Sequence, residues 1–258
     1  MATHKKRVGR RKLRFTPRPF RRLLHIVSAY AVAWTVGLLF VIPLILYLQC
    51  MGKIRTRGYF GVARTIREGK IILAANHPSL IEPIIISTMF VPLFLIFADS
   101  QWPFSVPDRR TYLPRFLWFV YWPFRCITVD RSNTGRRSAT ALRRIHFILS
   151  AGRSVVMHPE GGRTDKGKLF VTKGKRRLRR ITQTHVVKLA RETSARIMPV
   201  WVDFSCTNPD GSLMSAERTL QRFLRDGMSI SFGEPYTVNP RTPLEQVNRE
   251  LEQRILSA

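Results

Sequence analysis

The sequence predicts an α/β protein, with a mixed central sheet flanked by helices, preceded by an N-terminal helical segment embedded in a membrane. Two observations predict this architecture. Residues Leu23 to Gly52 contain no Lys, Arg, Asp or Glu, and such a run exceeds the roughly 20 residues that cross a bilayer core as a helix. Beyond Gly52, strand-like apolar runs alternate with longer helix-like segments, which is typical of an α/β domain. We therefore divide the chain into a basic tail (1–22), a membrane-embedded helical segment (23–52) and one folded domain (53–258).

The basic tail predicts the orientation of the chain at a membrane. It carries ten basic side chains and no acidic one. By the positive-inside rule it stays on the cytoplasmic face, where it would also bind anionic lipid. Pro43 interrupts the uncharged segment and favours a re-entrant hairpin over a single crossing, so the folded domain is expected on the cytoplasmic face of the cell membrane. A cleaved secretory signal is the alternative, but the uncharged run is longer than the usual core of about 7–15 residues.

Six apolar runs predict the strands of the folded domain. In chain order they are Ile71 to Ala75, Leu93 to Ala98, Cys126 to Val129, Ser154 to Met157, Ile197 to Asp203 and Met228 to Phe232. Four longer segments predict helices, namely Leu80 to Met89, Thr134 to Ser150, Leu178 to Thr193 and Pro243 to Leu256. A domain of about 200 residues can bury one core without a second domain.

The composition restricts the class of partner. The chain has 44 Lys and Arg against 16 Asp and Glu, a net charge of +28, which would attract nucleic acid or anionic lipid. The long uncharged segment favours lipid, so we expect membrane lipids as partners and no specific nucleic acid. The three cysteines show no C-x-x-C spacing, and no cluster has the spacing of metal ligands, so neither a disulfide framework nor a metal site is predicted.

A histidine and a carboxylate follow the first predicted strand of the domain. His77 and Glu82 lie five positions apart, directly behind Ile71 to Ala75. An acidic partner can hold an imidazole in one tautomer, and an imidazole so held can take a proton from a hydroxyl. The alternative is structural, because the spacing from Ser79 to Glu82 also matches a capping box at the start of a helix.

A second polar cluster, His158 to Thr164, follows the predicted strand Ser154 to Met157. Gly161 and Gly162 would let the backbone approach an anion closely, and the planar guanidinium of Arg163 matches phosphate oxygens. Two loops that follow strands therefore indicate one site.

In order and spacing, these segments resemble four motifs of the glycerolipid acyltransferase superfamily, which includes the 1-acylglycerol-3-phosphate and glycerol-3-phosphate acyltransferases. The first motif, Asn-His-x-x-x-x-Asp, matches residues 76–82, with glutamate in place of the aspartate. The second motif, which ends in arginine, resembles residues 127–131. The third, Phe-Pro-Glu-Gly-Thr-Arg-Ser, resembles residues 158–164, with His158 in the aromatic position and Gly162 in place of the threonine. The fourth, an aliphatic strand with a proline, resembles residues 197–201.

The resemblance implies transfer of a fatty acyl group from acyl-CoA or acyl-carrier protein to the hydroxyl of lysophosphatidate, a step of phospholipid biosynthesis that makes phosphatidic acid. No cofactor is implied beyond the acyl donor, which is a co-substrate. His77 would be the general base and Glu82 would fix its tautomer. The residues expected to bind substrate are Arg131, Glu160, Gly161, Gly162, Arg163, Lys173 and Pro199.

Three alternatives stay open. The sequence Glu-Gly-Gly-Arg at residues 160–163 is closer to the motif of the glycerol-3-phosphate acyltransferases than to that of the lysophosphatidate enzymes. Glycerol-3-phosphate or another lysolipid is therefore the rival acceptor. A protein of another class, a catalytically inactive scaffold that binds anionic lipid or nucleic acid, is suggested by Glu82 and by the high charge. The aromatic run 111–124 could form a second membrane contact or the wall of a groove for the acyl chain. The structural alternative is a helix buried in the core.

Overall fold

A computed structural model of the chain describes residues 27–28, 30–31, 33–79, 81–96, 102–107, 125–129, 136–166, 168–208, 212 and 214–258. The basic tail, the aromatic run 111–124 and Arg131 lie outside the described residues. The predictions made for them therefore stay predictions.

Two consecutive helices form the described N-terminal part of the chain. Ala33–Val41 has π-type hydrogen bonding, and Pro43 lies in the first turn of the next helix, α1 (Ile42–Cys50). Helix α1 buries only Ile45 and Leu48. The exposed side chains of the two helices are largely apolar and include Trp34, Val36, Leu38, Leu39, Phe40, Leu44, Leu46 and Tyr47. Within the described part of the chain, every helix is too short or too polar to span a bilayer.

A six-stranded mixed sheet forms the centre of the domain. Its strands are β1 (Ile54–Arg57), β2 (Ile71–Ala75), β3 (Phe104–Ser105), β4 (Val155–Met157), β7 (Arg196–Asp203) and β8 (Met228–Phe232), arranged in the order β1-β8-β7-β2-β4-β3. All neighbouring strands are parallel except β7 and β8. Strands β2, β3, β4 and β7 therefore point one way, and their carboxyl ends meet at one edge of the sheet, where ligands bind in open α/β sheets.

Helices cover both faces of this sheet. They are α2 (Tyr59–Arg67), α3 (Glu82–Thr88), α4 (Val91–Ile96), α5 (Arg136–Ser150), α6 (His185–Thr193), α7 (Ala216–Asp226) and α8 (Leu244–Ser257). Helices α5, α6 and α8 pack on one face. Helices α1, α2, α3 and α7 pack on the other. This arrangement confirms the predicted fold class, a mixed central sheet flanked by helices.

Strand β2 contributes to both hydrophobic cores. Ile72 and Ala74 face the core under α5, α6 and α8, whereas Ile71, Leu73 and Ala75 face the opposite core. Successive side chains of a strand point to opposite faces, so a central strand covered on both sides is apolar throughout. All five residues are fully buried, which explains why this run is uninterrupted in the sequence.

A two-stranded antiparallel hairpin, β5 (Phe170–Lys173) and β6 (Arg176–Arg179), projects beside the main sheet. Its turn contains Gly174 in the left-handed region, at φ +58°. Val171 and Leu178 pack into the core under α5, α6 and α8. The hairpin is further held to the end of α8, because Arg176 Nη1 donates to the carbonyl oxygens of Leu256 at 2.8 Å and Ala258 at 3.1 Å.

Three predicted elements differ in the structure. The strand predicted from Leu93 is helix α4, because a short apolar run fits a buried helix as well as a strand. The strand predicted from Cys126 is reduced to bridges at Cys126 and Val129, where Ile127 N donates to Ser105 O and Val129 N donates to Pro107 O. The helix predicted from Leu178 begins only at His185, because Leu178 is the inward residue of β6, whose neighbours alternate outward. The sequence prediction also missed β1, β3, β5, α2 and α7.

Candidate active site

The loops after β2 and β4 meet at the carboxyl edge of the sheet. The two strands are parallel neighbours, with Ala74 opposite Met157, so the polar residues that follow each strand are brought together. Asn76 fixes the end of β2 on strand β7. Its Nδ2 donates to Val202 O at 3.0 Å, and Val202 N donates to its Oδ1 at 2.6 Å. This paired contact holds the backbone of the next residue, His77, in place.

His77 forms a buried pair with Glu82. Nδ1 of His77 contacts Oε1 of Glu82, and the hydroxyl of Ser79 donates to Oε2 of the same carboxylate. Because an ionised carboxylate only accepts hydrogen bonds, it selects the tautomer with hydrogen on Nδ1, and the proton-accepting lone pair is then on Nε2. The side chain of Glu82 is fully buried and that of His77 is 7% exposed. This geometry is that of a general base with an acidic orienting partner.

Glu82 is a buried carboxyl group with several donors. Burial raises the pKa of Glu82 to about 7, while the nearby His158 ring and the Ser79 hydroxyl act in the lowering direction. Ser79 also accepts from the backbone N of Ile81 at 3.1 Å. Helix α3 begins at Glu82 with Ile81 as its N-cap and without a side-chain cap. The Glu82 carboxylate also accepts a backbone hydrogen bond from Ser79, which is one half of a capping box. The contact between Ser79 and Glu82 therefore belongs both to the start of the helix and to the site.

Glu160 ties the loop after β4 to the loop after β2. Its Oε1 accepts from the backbone N of His77 and from Thr164 Oγ1, both at 2.8 Å. Its Oε2 accepts from the backbone N of Arg179 at 3.0 Å. Thr164 closes the connection, because its backbone N donates to His77 O at 2.8 Å. Burial raises the pKa of Glu160 to about 7, and the donors of His77 and Thr164 oppose that rise.

The contacts of Glu160 bear on its predicted role. The sequence placed it among the substrate-binding residues as a group that orients donors, and both carboxylate oxygens accept from groups of the protein itself. Its observed contact is with the backbone amide of the proposed base. Glu160 therefore positions His77, and binding of substrate by Glu160 stays a prediction.

The structure gives a different reason for the absence of a side chain at each of the two glycines of the second loop, Gly161 and Gly162. Gly161 has φ +68°, a conformation in which glycine is favoured over other residues. A Cβ on Gly162 would lie 2.6 Å from Nη1 of Arg179, so the absence of a side chain lets that guanidinium approach the loop. Arg163 is half-buried and lies near Asp165. Burial raises the pKa of Asp165, and the positive charges of Arg177 and Arg163 oppose that rise. Arg163 and Arg179 therefore lie at this loop, and Arg177 is close enough to act on Asp165.

His158 stacks on His77. The ring centroids are 4.5 Å apart and the planes differ by 25°. Nδ1 of His158 lies 3.2 Å from the carbonyl oxygens of both Ala75 and Asn76. Burial lowers the pKa of His158 to about 4. The sequence suggested only that His158 replaces an aromatic residue or lines the site, and the structure shows direct ring contact with the proposed base.

One group of described residues could supply ligands to a metal ion. It consists of His77, Glu82 and His158. Their ligand atoms lie within 4.8 Å of one another. The lone pair of a ring nitrogen lies in the ring plane, however, and metal ligands converge on a common point. In two stacked rings the in-plane lone pairs of the nitrogens are roughly parallel, so they do not converge on one metal ion. In addition, Nδ1 of His77 already contacts Glu82. The arrangement suits proton transfer better than metal binding.

The sequence also predicted Pro199, Lys173 and Arg131 as site residues. Pro199 is buried in β7 opposite Ala74, and its carbonyl oxygen accepts from Gly233 N at 2.9 Å. Lys173 is exposed on β5, where its Nζ donates to Ser257 Oγ at 2.7 Å. That contact holds Lys173 at the end of α8, and substrate binding by Lys173 stays a prediction. Arg131 lies outside the described residues.

A cavity of about 440 Å³ adjoins the loop after β4. Its walls include Ala141 and Ile145 of α5, Met157 at the end of β4, and His158. Most of the lining is apolar, and His158 places the cavity next to the dyad. No local sequence pattern predicts this cavity, because its walls come from separate helices and loops.

A family model for the acyltransferase domain matches residues 57–203. The matched region contains both strand-end loops and covers more than half of the chain. The chain belongs to the acyltransferase family. This confirms the family that the four sequence motifs predicted, and with it the predicted enzyme class.

No curated protein matches this acyltransferase. Among solved structures it is similar to the 1-acyl-sn-glycerophosphate (LPA) acyltransferase PlsC from Thermotoga maritima, with 18% sequence identity and a TM-score of 0.49. That similarity covers 93% of this chain and 95% of the other.

Proposed function

We propose that this acyltransferase moves a fatty acyl group from acyl-CoA or acyl-carrier protein to the hydroxyl of lysophosphatidate, with His77 as general base. One observation carries the proposal: the buried contact between His77 Nδ1 and the Glu82 carboxylate, which Ser79 holds from the other side. A base oriented in this way suits removal of a proton from an alcohol. The four motifs quoted above support lysophosphatidate as the acceptor.

The reaction then needs no covalent intermediate on the protein. Nε2 of His77 takes the proton of the acceptor hydroxyl as its oxygen attacks the thioester carbonyl, and a tetrahedral oxyanion forms. When this intermediate collapses, the carbon–sulfur bond breaks and the leaving thiolate takes the proton from His77. Glu82 stabilises the imidazolium between the two steps. The products are the new ester and the free thiol of CoA or of the carrier protein.

The phosphate of the acceptor would be bound by arginine side chains around the second loop. Arg163 and Arg179 both lie there, the latter against Gly162, and guanidinium groups match phosphate oxygens in pairs. The family resemblance adds Arg131. Since the oxygens of Glu160 are occupied by protein donors, its part in this scheme is to position the base.

Membrane association is part of the proposal. It is supported by the apolar side chains that the two N-terminal helices expose, among them Trp34, Leu39 and Phe40, which are 55%, 65% and 67% exposed. A contiguous apolar surface of this kind marks an interaction site in a water-soluble domain. Helices with such a surface can lie in one leaflet without crossing the bilayer. With the basic tail beside them, the active site would face the cytoplasmic leaflet, where the lipid acceptor resides.

The test is thiol release from acyl-CoA by detergent-purified protein, offered lysophosphatidate, glycerol-3-phosphate or no acceptor. We expect release that depends on lysophosphatidate and that is lost in His77→Ala. The matched control is His146→Ala on α5, whose side chain is 43% exposed and which should behave as the unaltered protein. Release with glycerol-3-phosphate alone would replace the proposed acceptor. No release with acyl-CoA or with acyl-carrier protein would favour the scaffold, and substantial activity in His77→Ala would refute the role of the base.

A further inference from the structure

We propose that His158 is a positioning residue for His77: its neutral ring is a platform that fixes the orientation of the catalytic imidazole and stabilises the imidazolium formed there. This inference rests on the proposed function. It goes beyond that function because it assigns a task to a residue that does not itself exchange a proton with substrate.

The rings of His158 and His77 are in direct contact. With centroids 4.5 Å apart and planes 25° from parallel, the His158 ring covers one face of the His77 ring. The edge of His77 that carries Nδ1 is held by Glu82. A hydrogen bond at one edge still allows the ring to tilt about that bond, and a flat group against the face removes this freedom. The two contacts together determine where Nε2 points.

The tautomer of His158 follows from its contacts. Its Nδ1 lies 3.2 Å from two carbonyl oxygens, those of Ala75 and Asn76. Carbonyl oxygens only accept hydrogen bonds, so Nδ1 carries the hydrogen and Nε2 does not. Nε2 is buried and has no hydrogen-bond partner among the described residues. A proton on Nε2 would therefore add an unsatisfied charge to a buried site.

Several titratable groups surround His158. His77 and Glu82 face it from the loop after β2 and from α3, Glu160 lies two residues along its own loop, and His185 of α6 lines the same cavity. Burial, together with the neighbouring His77, lowers the pKa of His158 to about 4 despite the nearby Glu82 carboxylate. His158 is therefore neutral at the pH at which His77 must gain a proton. A neutral aromatic ring attracts a cation at its face, whereas a second imidazolium would repel it.

Histidine differs from any other flat residue at this position. The carbonyls that His158 contacts belong to the two residues immediately before His77. Its hydrogen bond therefore fixes the platform to the same backbone segment that carries the base. Phenylalanine would keep the stack and lose this attachment, whereas leucine would lose both. The structure thus predicts a graded order of activity, from histidine through phenylalanine to leucine.

The kinetic test compares His158→Phe and His158→Leu in the lysophosphatidate assay across pH 5 to 9. We expect His158→Leu to lower kcat by about 30- to 100-fold, the scale of a misplaced catalytic group, with the acceptor KM within about threefold. His158→Phe should stay within about fivefold of the unaltered enzyme, with the same pH profile, and the exposed-site control His146→Leu should show no change. Equal losses in both variants, or a loss expressed mainly in KM, would overturn the platform.

A second measurement does not need activity. Ring nitrogen NMR of the unaltered protein, labelled in its histidines and assigned with His77→Gln, reports tautomer and protonation directly. We expect the His158 ring to keep hydrogen on Nδ1 and to remain neutral down to pH 5.5. A His158 ring that titrates between pH 5.5 and 8, or that carries hydrogen on Nε2, would refute the inference. If the unaltered enzyme transfers no acyl group, the proposed function fails, and this measurement still decides the state of His158.

Discussion

Replacement of Glu82 by glutamine tests the charge of the dyad without changing its shape. Glutamine has the same length as glutamate, and its amide oxygen can still accept from Nδ1 of His77. Its NH2 group can donate to the Ser79 hydroxyl, which rotates to accept. The substitution therefore removes the negative charge while keeping the length of the side chain and its contact with His77. It also leaves one oxygen in place of two to accept the backbone N–H groups of Ser79 and Glu82.

The size of the effect follows from the separation of the charges. An imidazolium and a carboxylate in direct contact have charge centres about 4 Å apart, and at an effective dielectric of about 20 they attract by about 4 kcal/mol. This attraction exists only after His77 has gained its proton, so its loss raises the barrier and leaves substrate binding intact. Since about 1.4 kcal/mol corresponds to a factor of ten, kcat should fall about 10³-fold in Glu82→Gln, with KM nearly unchanged.

The pH profile gives a second signature of the same change. Burial raises the pKa of Glu82 to about 7, so this carboxyl is protonated below that pH and cannot balance an imidazolium. In the unaltered enzyme, kcat should therefore rise as the pH increases through about 7. Glutamine does not titrate, so the contribution of Glu82 to this rise should vanish from the variant.

The assay is thiol release from acyl-CoA at saturating lysophosphatidate, from pH 5 to 9. The matched control is Glu250→Gln, at an exposed residue of α8 that pairs with Arg254, and its kcat should equal that of the unaltered enzyme. Retention of more than a tenth of kcat in Glu82→Gln would refute the electrostatic reasoning. A fall confined to KM would refute it as well.

Two further substitutions test the supports of the site. Glu160→Gln places an NH2 donor against the backbone N–H of Arg179, which is itself a donor. We therefore expect kcat to fall about tenfold and Tm to fall, with little change in the acceptor KM. A change mainly in KM would instead support direct substrate binding by Glu160. Gly69→Ala places a Cβ 2.5 Å from the backbone oxygen of Gly152 at φ +77°, so thermal denaturation should show about 1–3 kcal/mol of destabilisation. Gly174→Ala is its control, because that glycine also has positive φ but no atom within 4 Å of the added Cβ; equal effects would contradict the steric argument.

The part of the site that is contiguous in sequence was predictable. Strand β2, His77 and Glu82 lie within twelve residues, so a run of apolar residues and a single spacing were enough to indicate them. The structure adds Ser79 to that pair, and its spacing from Glu82 was visible but also fitted a helix cap. Local patterns therefore located the contacting pair His77 and Glu82, while the contact of Ser79 with that pair needed coordinates.

Contacts between distant segments were not predictable from local patterns. Glu160 accepts from Arg179 across a hairpin, and the sequence placed Arg179 in a helix, because basic residues around one leucine fit both periodicities. Strand β1 pairs with β8, so that Ile54 lies opposite Met228, a separation that no short window covers. The stack of His158 on His77 likewise depends on β2 and β4 being neighbours in the sheet.

The central position of β2 has a consequence for how the enzyme loses activity on heating. The backbone of His77 continues directly from this strand, which has a paired neighbour on each side and a hydrophobic core on each face. Regions with such burial open only when the whole domain opens, whereas hairpins and exposed helices open first. The His77 amide, held by Glu160, should therefore be among the slowest to exchange with deuterium, and β5–β6 among the faster segments. Inactivation should coincide with global unfolding, so the segment that carries the proposed base should be the last to lose its structure.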